Sequence, residues 1–160
     1  MIAVPEPEAR LAGLRSGQLD ICGGLPPSAY ADLESDPDIN LMQNALGNAT
    51  GACCTIDTPP FDDNNVRLAM KYATNRQAMM ELVDQGWGTL QNDIFIPQGL
   101  GGALQGVREH DVEKAKELLS MAGFADGIDL PPLKLSEIDS SFIPWGTAWQ
   151  QQLAEAVIRF

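Results

Sequence analysis

The most regular hydrophobic pattern in the chain lies between residues 59 and 86. Four apolar residues there repeat at the i, i+3, i+4, i+7 spacing of an amphipathic helix face: Val66, Ala69, Met70 and Ala73. After a break at residue 75 a second apolar set follows: Met79, Met80, Leu82 and Val83. Asp62 or Asp63 would cap the first helix, and Asn75 or a Thr74–Gln77 capping box would cap the second. The pattern therefore predicts two helices that meet at a corner, the second ending at Gly86.

The N-terminal part of the chain carries a weaker pattern. A short apolar stripe within "EPEARLAGLRSG" predicts a helix that ends at Gly17. The alternation of Leu19 and Ile21 with polar neighbours predicts a short strand directly after it. A one-turn helix is then expected from Ser28, as its N-cap, to Leu33.

Two further helices and two further strands are predicted. The segment "DVEKAKELLSMAGF" has Asp111 as N-cap and Gly123 as terminating glycine. A last helix is expected over residues 147–160, where it reaches the chain end without a cap, as a truncated helix would. The apolar segment 51–57 and the alternating segment 131–138 are strand candidates. Because strands alternate with helices, the predicted fold class is α/β.

Composition and charge exclude several classes of partner. The 160 residues include 10 Lys plus Arg and 22 Asp plus Glu, which gives a formal net charge of −12. Nucleic-acid binding and a polybasic membrane anchor both need concentrated positive charge, so neither is expected. No apolar run approaches the roughly 20 residues that span a bilayer. The opening "MIAVPEPEAR" lacks the basic and apolar regions of a secretion signal.

The cysteines and the single histidine offer one catalytic alternative. Cys22, Cys53 and Cys54 are odd in number and lack CxxC spacing, which fits neither a disulfide framework nor a zinc site. A thiol-dependent enzyme would pair Cys53 or Cys54 with His110. His110 directly precedes a helix N-cap, however, where a solvated side chain is typical, so packing roles are favoured for the cysteines. No metal or cofactor is expected, because P-loop, HExxH, GxSxG and EF-hand motifs are missing from the sequence.

Two carboxylates and one tryptophan stand out as candidate ligand contacts. Asp57 and Asp139 each follow a predicted strand, and ligands of open α/β sheets gather beyond strand ends. Loop solvation is the alternative for both. Trp145 lies in a predicted loop and is free to line a cleft, whereas Trp149 falls on the core face of the last helix.

Three segments, taken in order, resemble the family 5 extracellular solute-binding proteins of ABC importers, the dipeptide, oligopeptide and nickel group. They are "EARLAGLRSGQLDI", "PPFDDNNVRLAMKYATNRQAMMELVDQGWG" and "DVEKAKELLSMAGFADG". The central segment matches the family pattern at Pro60, Phe61, Asp63, Val66, Arg67, Ala69, Tyr72, Ala73 and Arg76. The last segment matches it at Ala115, Leu118, Leu119, Ala122, Gly123 and Gly127. Asn75 departs from the usual Asp, and Ile56-Asp57 departs from a usual "fN" pair.

The resemblance implies that the chain is part of a periplasmic-binding-protein-like (type II) fold, with two lobes built from a mixed sheet and flanking helices. Residues 1–58 would end the first-lobe segment and its crossover, and residues 59–160 would form the early half of the second lobe. The central motif would be scaffold, with Arg67 pairing with a nearby carboxylate. The isolated segment would bind no peptide tightly, since half of the cleft is absent.

The resemblance also implies a function without catalysis or cofactor. The protein would be the substrate-binding component of an ABC importer, capturing peptide-like or related small solutes in the periplasm or elsewhere outside the cytoplasm. It would deliver them to permease subunits in the membrane. A solute-sensing receptor module of the same fold is the alternative. The residues expected to line the cleft stand after two predicted strands: Thr55, Asp57, Ser136, Asp139, Ser140 and Ser141.

Overall fold

The structure is a computed structural model that describes residues 2–42, 50–94, 96, 106–135 and 142–160. The chain divides into two compact units, Met1–Asn44 and Ala45–Phe160. Within the described ranges, no helix has the length and apolar character needed to cross a membrane. The assignment of residues 1–58 and 59–160 to two lobes concerns the complete two-lobed fold and stays a prediction.

The first unit is small and helical. It contains α1 (Pro7–Arg15), a 3-10 turn (Pro27–Ala29) and α2 (Tyr30–Glu34). Its core consists of three buried side chains: Leu11, Ala29 and Leu33. The predicted first helix and the short helix that follows it are therefore confirmed.

Two predictions for the first unit are wrong. Ser28 is not an N-cap but lies inside the 3-10 turn, because Pro27 fixes the φ of the first helical position and needs no hydrogen-bond acceptor there. Residues 19–21 form no strand, and Ile21 is 90% exposed. A strand needs a neighbour for its ladder hydrogen bonds, and in the described part of the chain none pairs with this segment.

The second unit begins with the predicted pair of helices, α3 (Asn64–Ala73) and α4 (Arg76–Val83). Asp63 caps α3 by accepting a hydrogen bond from the backbone amide two residues on, at 2.7 Å. Asn75 caps α4 by accepting one from the amide of Ala78, at 3.0 Å. At the start of each helix, one backbone amide that has no acceptor within the helix thus donates to a side-chain oxygen, as the sequence predicts.

The apolar faces of these helices are confirmed in α3 and only partly in α4. All four predicted face residues of α3 are buried: Val66, Ala69, Met70 and Ala73. In α4 Met79 is buried, but Leu82 is 69% exposed. The core assignment of Leu82 is wrong because this side chain lines a surface groove instead.

Helix α5 (Val112–Met121) packs against α3. Asp111 caps it by accepting a hydrogen bond from the Lys114 amide at 2.8 Å, as predicted. At its other end the Phe124 amide donates to the Leu119 carbonyl at 2.8 Å, the Schellman bond that closes a helix around a left-handed glycine. Both ends of this helix are therefore set by local sequence.

The C-terminal part of the chain forms a β-α-β unit. Strand β1 (Ile128–Asp129) is followed by α6 (Phe142–Glu155) and by β2 (Ile158–Arg159). The strands run parallel, with Ile128 opposite Ile158. A helical crossover is the usual way to join parallel neighbours, and this unit confirms the α/β class.

The predicted last helix is wrong at both ends. It ends at Glu155 rather than running to Phe160, because Ile158 pairs with β1 and is only 1% exposed. It begins at Phe142, five residues before the predicted start. In the sequence Pro144 argues against a helix at this point. Proline is nevertheless tolerated in the first turn of a helix, because the N–H groups of that turn have no acceptor within the helix. Trp145 consequently lies in the helix.

Two predicted strands are also wrong where the structure describes them. Residues 51–55 are irregular and residues 56–57 belong to a turn. Residues 131–135 form no strand, because Pro131 and Pro132 cannot donate ladder hydrogen bonds. Residues 136–138 of that segment lie outside the described residues. The observed strand β1 stands just before the prolines.

The core of the second unit lies between α3, α5 and α6 and continues onto both strands. Its fully buried side chains include Leu119, Leu153, Ile158 and Val66. Trp149 is 6% exposed and its ring centroid lies 5.1 Å from that of Trp145. Trp145 is thus partly buried against this core, which corrects its placement in a free loop.

Candidate functional site

Thr55 and Asp57, two of the predicted cleft residues, lie in an exposed turn. The Thr58 amide donates to the Thr55 carbonyl at 3.3 Å, and the Thr58 hydroxyl donates to the Asp57 carboxylate at 3.3 Å. Both predicted residues are exposed. The turn runs directly into a cis peptide bond between Pro59 and Pro60. Both side chains are therefore accessible to a ligand.

The other predicted cleft residues lie outside the described residues: Ser136, Asp139, Ser140 and Ser141. Their place in the ligand cleft stays a prediction. The described chain resumes one residue later, at Phe142, where α6 begins.

Among the described residues Arg67 pairs with no carboxylate and instead donates hydrogen bonds at the start of α3. Its Nη1 donates to the Phe61 carbonyl at 2.6 Å and to the Asp62 carbonyl at 3.2 Å. Its Nη2 donates to the Asn64 side-chain oxygen at 3.0 Å. The expected structural role holds with different acceptors, because the loop before α3 folds its carbonyls back towards the helix.

Among the described residues three cations surround Asp93, a residue that the sequence does not single out. Arg76 Nη2 lies 2.6 Å from Oδ1 of Asp93, while Arg108 Nε and Lys71 Nζ lie 2.9 Å and 3.4 Å from Oδ2. The carboxylate is 8% exposed. Its partners come from the end of α3, from the start of α4 and from the segment before α5. Partners this far apart along an irregular stretch leave no periodic signal in the sequence.

Opposing effects set the ionisation of Asp93. Burial disfavours the carboxylate and alone would raise its pKa, but the hydrogen bond from Arg108 and the charges of Lys71, Arg108 and Arg76 outweigh burial. The pKa of Asp93 is consequently lowered. The pKa of Arg76 is also lowered, by burial first and then by repulsion from Arg108, against the attraction of Asp93.

Arg108 is fixed by a second contact. Its guanidinium carbon lies 4.8 Å from the ring centroid of Tyr72, a cation–π arrangement. Hydrogen bonding to Asp93 raises the pKa of Arg108. The guanidinium group is therefore held on both a ring face and a carboxylate.

The surroundings of Cys54 do not favour a reactive thiol. Cys53 is exposed and Cys54 is half-buried, and both are free thiols. Burial, followed by the charge of Cys53, raises the pKa of Cys54 despite the opposing charges of Arg67 and Lys71. A thiolate nucleophile needs a lowered pKa instead. Within the described ranges, the cysteines, histidine and carboxylates form no group suited to a metal ion.

A surface groove of about 450 Å³ runs between α4 and α6. Its lining includes the apolar side chains of Leu82 and Ala148 and the carboxylates of Glu81 and Glu155. Ala78, Gln151 and Gln152 complete the lining.

Comparison with known proteins establishes the family. The profile described as "Bacterial extracellular solute-binding proteins, family 5 Middle" matches residues 1–160. This chain belongs to that family, as the three sequence segments indicate.

Curated relatives agree with the family match. The heme-binding protein A of Haemophilus influenzae is 30% identical over 128 residues, which cover 79% of this chain and 23% of the relative. The dipeptide-binding protein of Escherichia coli is 31% identical over 128 residues, which cover 79% of this chain and 24% of the relative. The chain thus spans about a quarter of the length of these relatives. Because the family consists of binding proteins, the prediction that the chain is not an enzyme is confirmed.

Solved structures show the same fold. The periplasmic binding protein AgaA of A. tumefaciens R10, in complex with agropinic acid, matches with a TM-score of 0.83 at 30% identity. The match covers 98% of this chain and 32% of AgaA. The binding protein DppA of Helicobacter pylori, in complex with the peptide STSA, matches in fold, with a TM-score of 0.74 at 23% identity over 98% of this chain and 30% of DppA. The predicted α/β fold of a periplasmic binding protein is confirmed.

Proposed function

We propose that this chain is a segment of the substrate-binding component of an ABC-type importer. The observation that carries the proposal is the match of one solute-binding family to the chain from residue 1 to residue 160. The fold likeness to AgaA over 98% of the chain supports it. The protein would act outside the cytoplasm and pass its solute to permease subunits in the membrane.

The mechanism is lobe closure around the solute. A ligand that contacts both lobes binds the closed state better than the open one, and so shifts the population towards closure. The permease then distinguishes loaded from empty protein by this change of shape. No bond of the solute is broken in this mechanism.

The solute is proposed to be a small peptide-like molecule or another small organic acid. Relatives are named for dipeptides and glutathione, and AgaA was solved with agropinic acid. Each of these ligands carries at least one carboxylate. Thr55 and Asp57 would contribute to the cleft from the exposed turn, together with Ser136, Asp139, Ser140 and Ser141.

The test is a thermal-shift and calorimetric screen of the full-length protein that carries this segment. Dipeptides, tripeptides, glutathione, heme and opines form the ligand set. We expect one class to raise Tm, and Asp57→Asn to weaken its binding. Asp62→Asn, an exposed change five residues away, is the matched control and should leave binding unaltered. If no class stabilises the protein, the importer proposal fails, and equal binding by both variants removes Asp57 from the cleft.

A further inference from the structure

The cluster around Asp93 contains more positive charge than its one carboxylate can neutralise. Lys71, Arg76 and Arg108 together carry a formal charge of +3, and all three pair with the single carboxylate of Asp93. None of the three has another ion-pair partner among the described residues. The local excess of two positive charges stands out in a chain whose net charge is −12.

The excess of positive charge is not needed to anchor the segment that carries Asp93. One cation suffices to hold a carboxylate, and further cations repel one another at short range. The repulsion is visible in Arg76, whose pKa is lowered by burial and additionally by Arg108. The third cation, Lys71, is held only at 3.4 Å and keeps most of its hydrogen-bonding capacity.

The arrangement presents cations to solvent and keeps the carboxylate inside. The side chains of Lys71, Arg108 and Arg76 are 41%, 25% and 19% exposed, whereas that of Asp93 is 8% exposed. The ring of Tyr72 and the oxygens of Asp93 hold the Arg108 guanidinium in one orientation. Pre-organised donors of this kind bind anions with little loss of side-chain freedom.

One donor in the cluster is unsatisfied. Nη1 of Arg76 is buried and has no hydrogen-bond partner in the described part of the chain. A buried N–H without an acceptor costs free energy. An oxyanion or a bridging water that reached this nitrogen would supply the missing acceptor.

We propose that Lys71, Arg76 and Arg108 form a binding site for a small oxyanion, a carboxylate or phosphate group, with Asp93 as the residue that positions the two guanidinium groups. Guanidinium and ammonium groups are the side chains that proteins use for such anions. The site does not depend on the importer role, because it is defined by the charge and geometry of residues within one compact unit.

The test is isothermal titration calorimetry of the full-length protein that carries this segment. Sodium citrate and sodium phosphate are the probes at pH 7, and sodium chloride holds the ionic strength constant. We expect saturable one-to-one binding of at least one probe. Citrate alone identifies a carboxylate site, phosphate alone a phosphate site, and both probes a general oxyanion site. Because the solute screen contains neither probe, failure here leaves the importer proposal intact, and failure of the solute screen leaves this one intact.

Lys71→Gln is the decisive variant, since the Lys71 side chain is 41% exposed and its replacement is expected to spare the fold. It removes one charge-assisted contact and should weaken the affinity about tenfold. Lys114→Gln is the matched control, because Lys114 is equally exposed at 41% and pairs with Glu117 on α5. The control should bind as the unaltered protein does. Absence of saturable binding for both probes, a change of less than about threefold in Lys71→Gln, or an equal loss in Lys114→Gln would overturn the proposal.

Discussion

The indole Nε1 of Trp149 donates a hydrogen bond to the hydroxyl of Thr74 over 2.8 Å. Thr74 in turn donates to the Met70 carbonyl at 2.8 Å, so its hydroxyl is used as both acceptor and donor. The bond joins α6 to the corner between α3 and α4. Beside it the side-chain amide of Gln152 pairs with the backbone of Asn75, accepting at 2.9 Å and donating at 3.3 Å. These hydrogen bonds thus connect the corner between α3 and α4 to α6, about 75 residues further along the chain.

Thr74→Val should destabilise the protein by about 1–3 kcal/mol, because it leaves the buried indole N–H of Trp149 without an acceptor. Urea unfolding followed by circular dichroism measures the change. Thr147→Val is the matched control: its hydroxyl is exposed and donates only to the Ile143 carbonyl of its own helix. The control should change stability by less than about 0.5 kcal/mol. A double-mutant cycle with Trp149→Phe should show coupling, and additive effects would contradict a direct bond between the two residues.

Asp93→Asn should lower the free energy of unfolding by about 2–4 kcal/mol at pH 7, since it leaves three cations without their common counterion. The carboxylate is 8% exposed, so solvent screens it little. Asp129→Asn provides the contrast, because Asp129 pairs with Arg159 in a bridge whose side chains are 80% and 53% exposed. Exposed pairs contribute little, so no measurable loss is expected there. Equal losses in the two variants would show that burial of the cluster contributes nothing.

The stabilisation by Asp93 should also depend on pH in one direction. Its pKa is lowered in the folded state, so folding favours the ionised form. The contribution is fully present above the unfolded carboxyl pKa of about 4 and is lost as the pH falls through the lower folded value. The difference in stability between the unaltered protein and Asp93→Asn should therefore be constant above about pH 5 and shrink towards pH 3. A difference that grows on acidification would reverse the assigned direction.

Local sequence predicted α3, α4 and α5 well because the signals of these helices are local. Asp63, Asn75 and Asp111 act as N-caps through bonds to amides two or three residues away, and such bonds need no tertiary partner. The apolar face of α3 was equally visible, since its spacing matches the helical period. The family resemblance rested on the same segments.

The strands and the charge cluster could not be predicted from local sequence. Ile158 lies in a strand because it pairs with Ile128, a residue 30 positions earlier in the chain. Short strands of this kind are determined by their pairing partners. Asp93 pairs with cations from three separate segments, so no residue spacing along the chain predicts the cluster. The predicted cleft residues in the segment 136–141 lie outside the described residues and stay predictions.

Iodoacetamide should alkylate Cys53 faster than Cys54. Cys53 is exposed, whereas Cys54 is half-buried and burial raises its pKa, which reduces its thiolate fraction. Mass spectrometry of a time course at pH 7.5 measures both rates, and Cys53→Ser isolates the slower site. A fast-reacting Cys54 would conflict with its raised pKa and would reopen the pairing with His110.

Gly127→Ala should destabilise the protein more than Gly123→Ala, although both glycines have positive φ, +99° and +88°. A Cβ on Gly127 would lie 2.5 Å from the Val157 carbonyl oxygen and 2.9 Å from the Val157 Cβ, whereas a Cβ on Gly123 would meet nothing within 4 Å. Gly123→Ala thus measures the left-handed backbone cost alone, about 1–2 kcal/mol. The overlap in Gly127→Ala should add about 1–3 kcal/mol, the usual cost of overpacking.

That overlap falls where the Ile128 amide donates to the Val157 carbonyl at 3.0 Å, the bond that begins the pairing of β1 with β2. Urea unfolding of the two variants compares the costs, and equal losses would mean that the strands can separate at this point without cost.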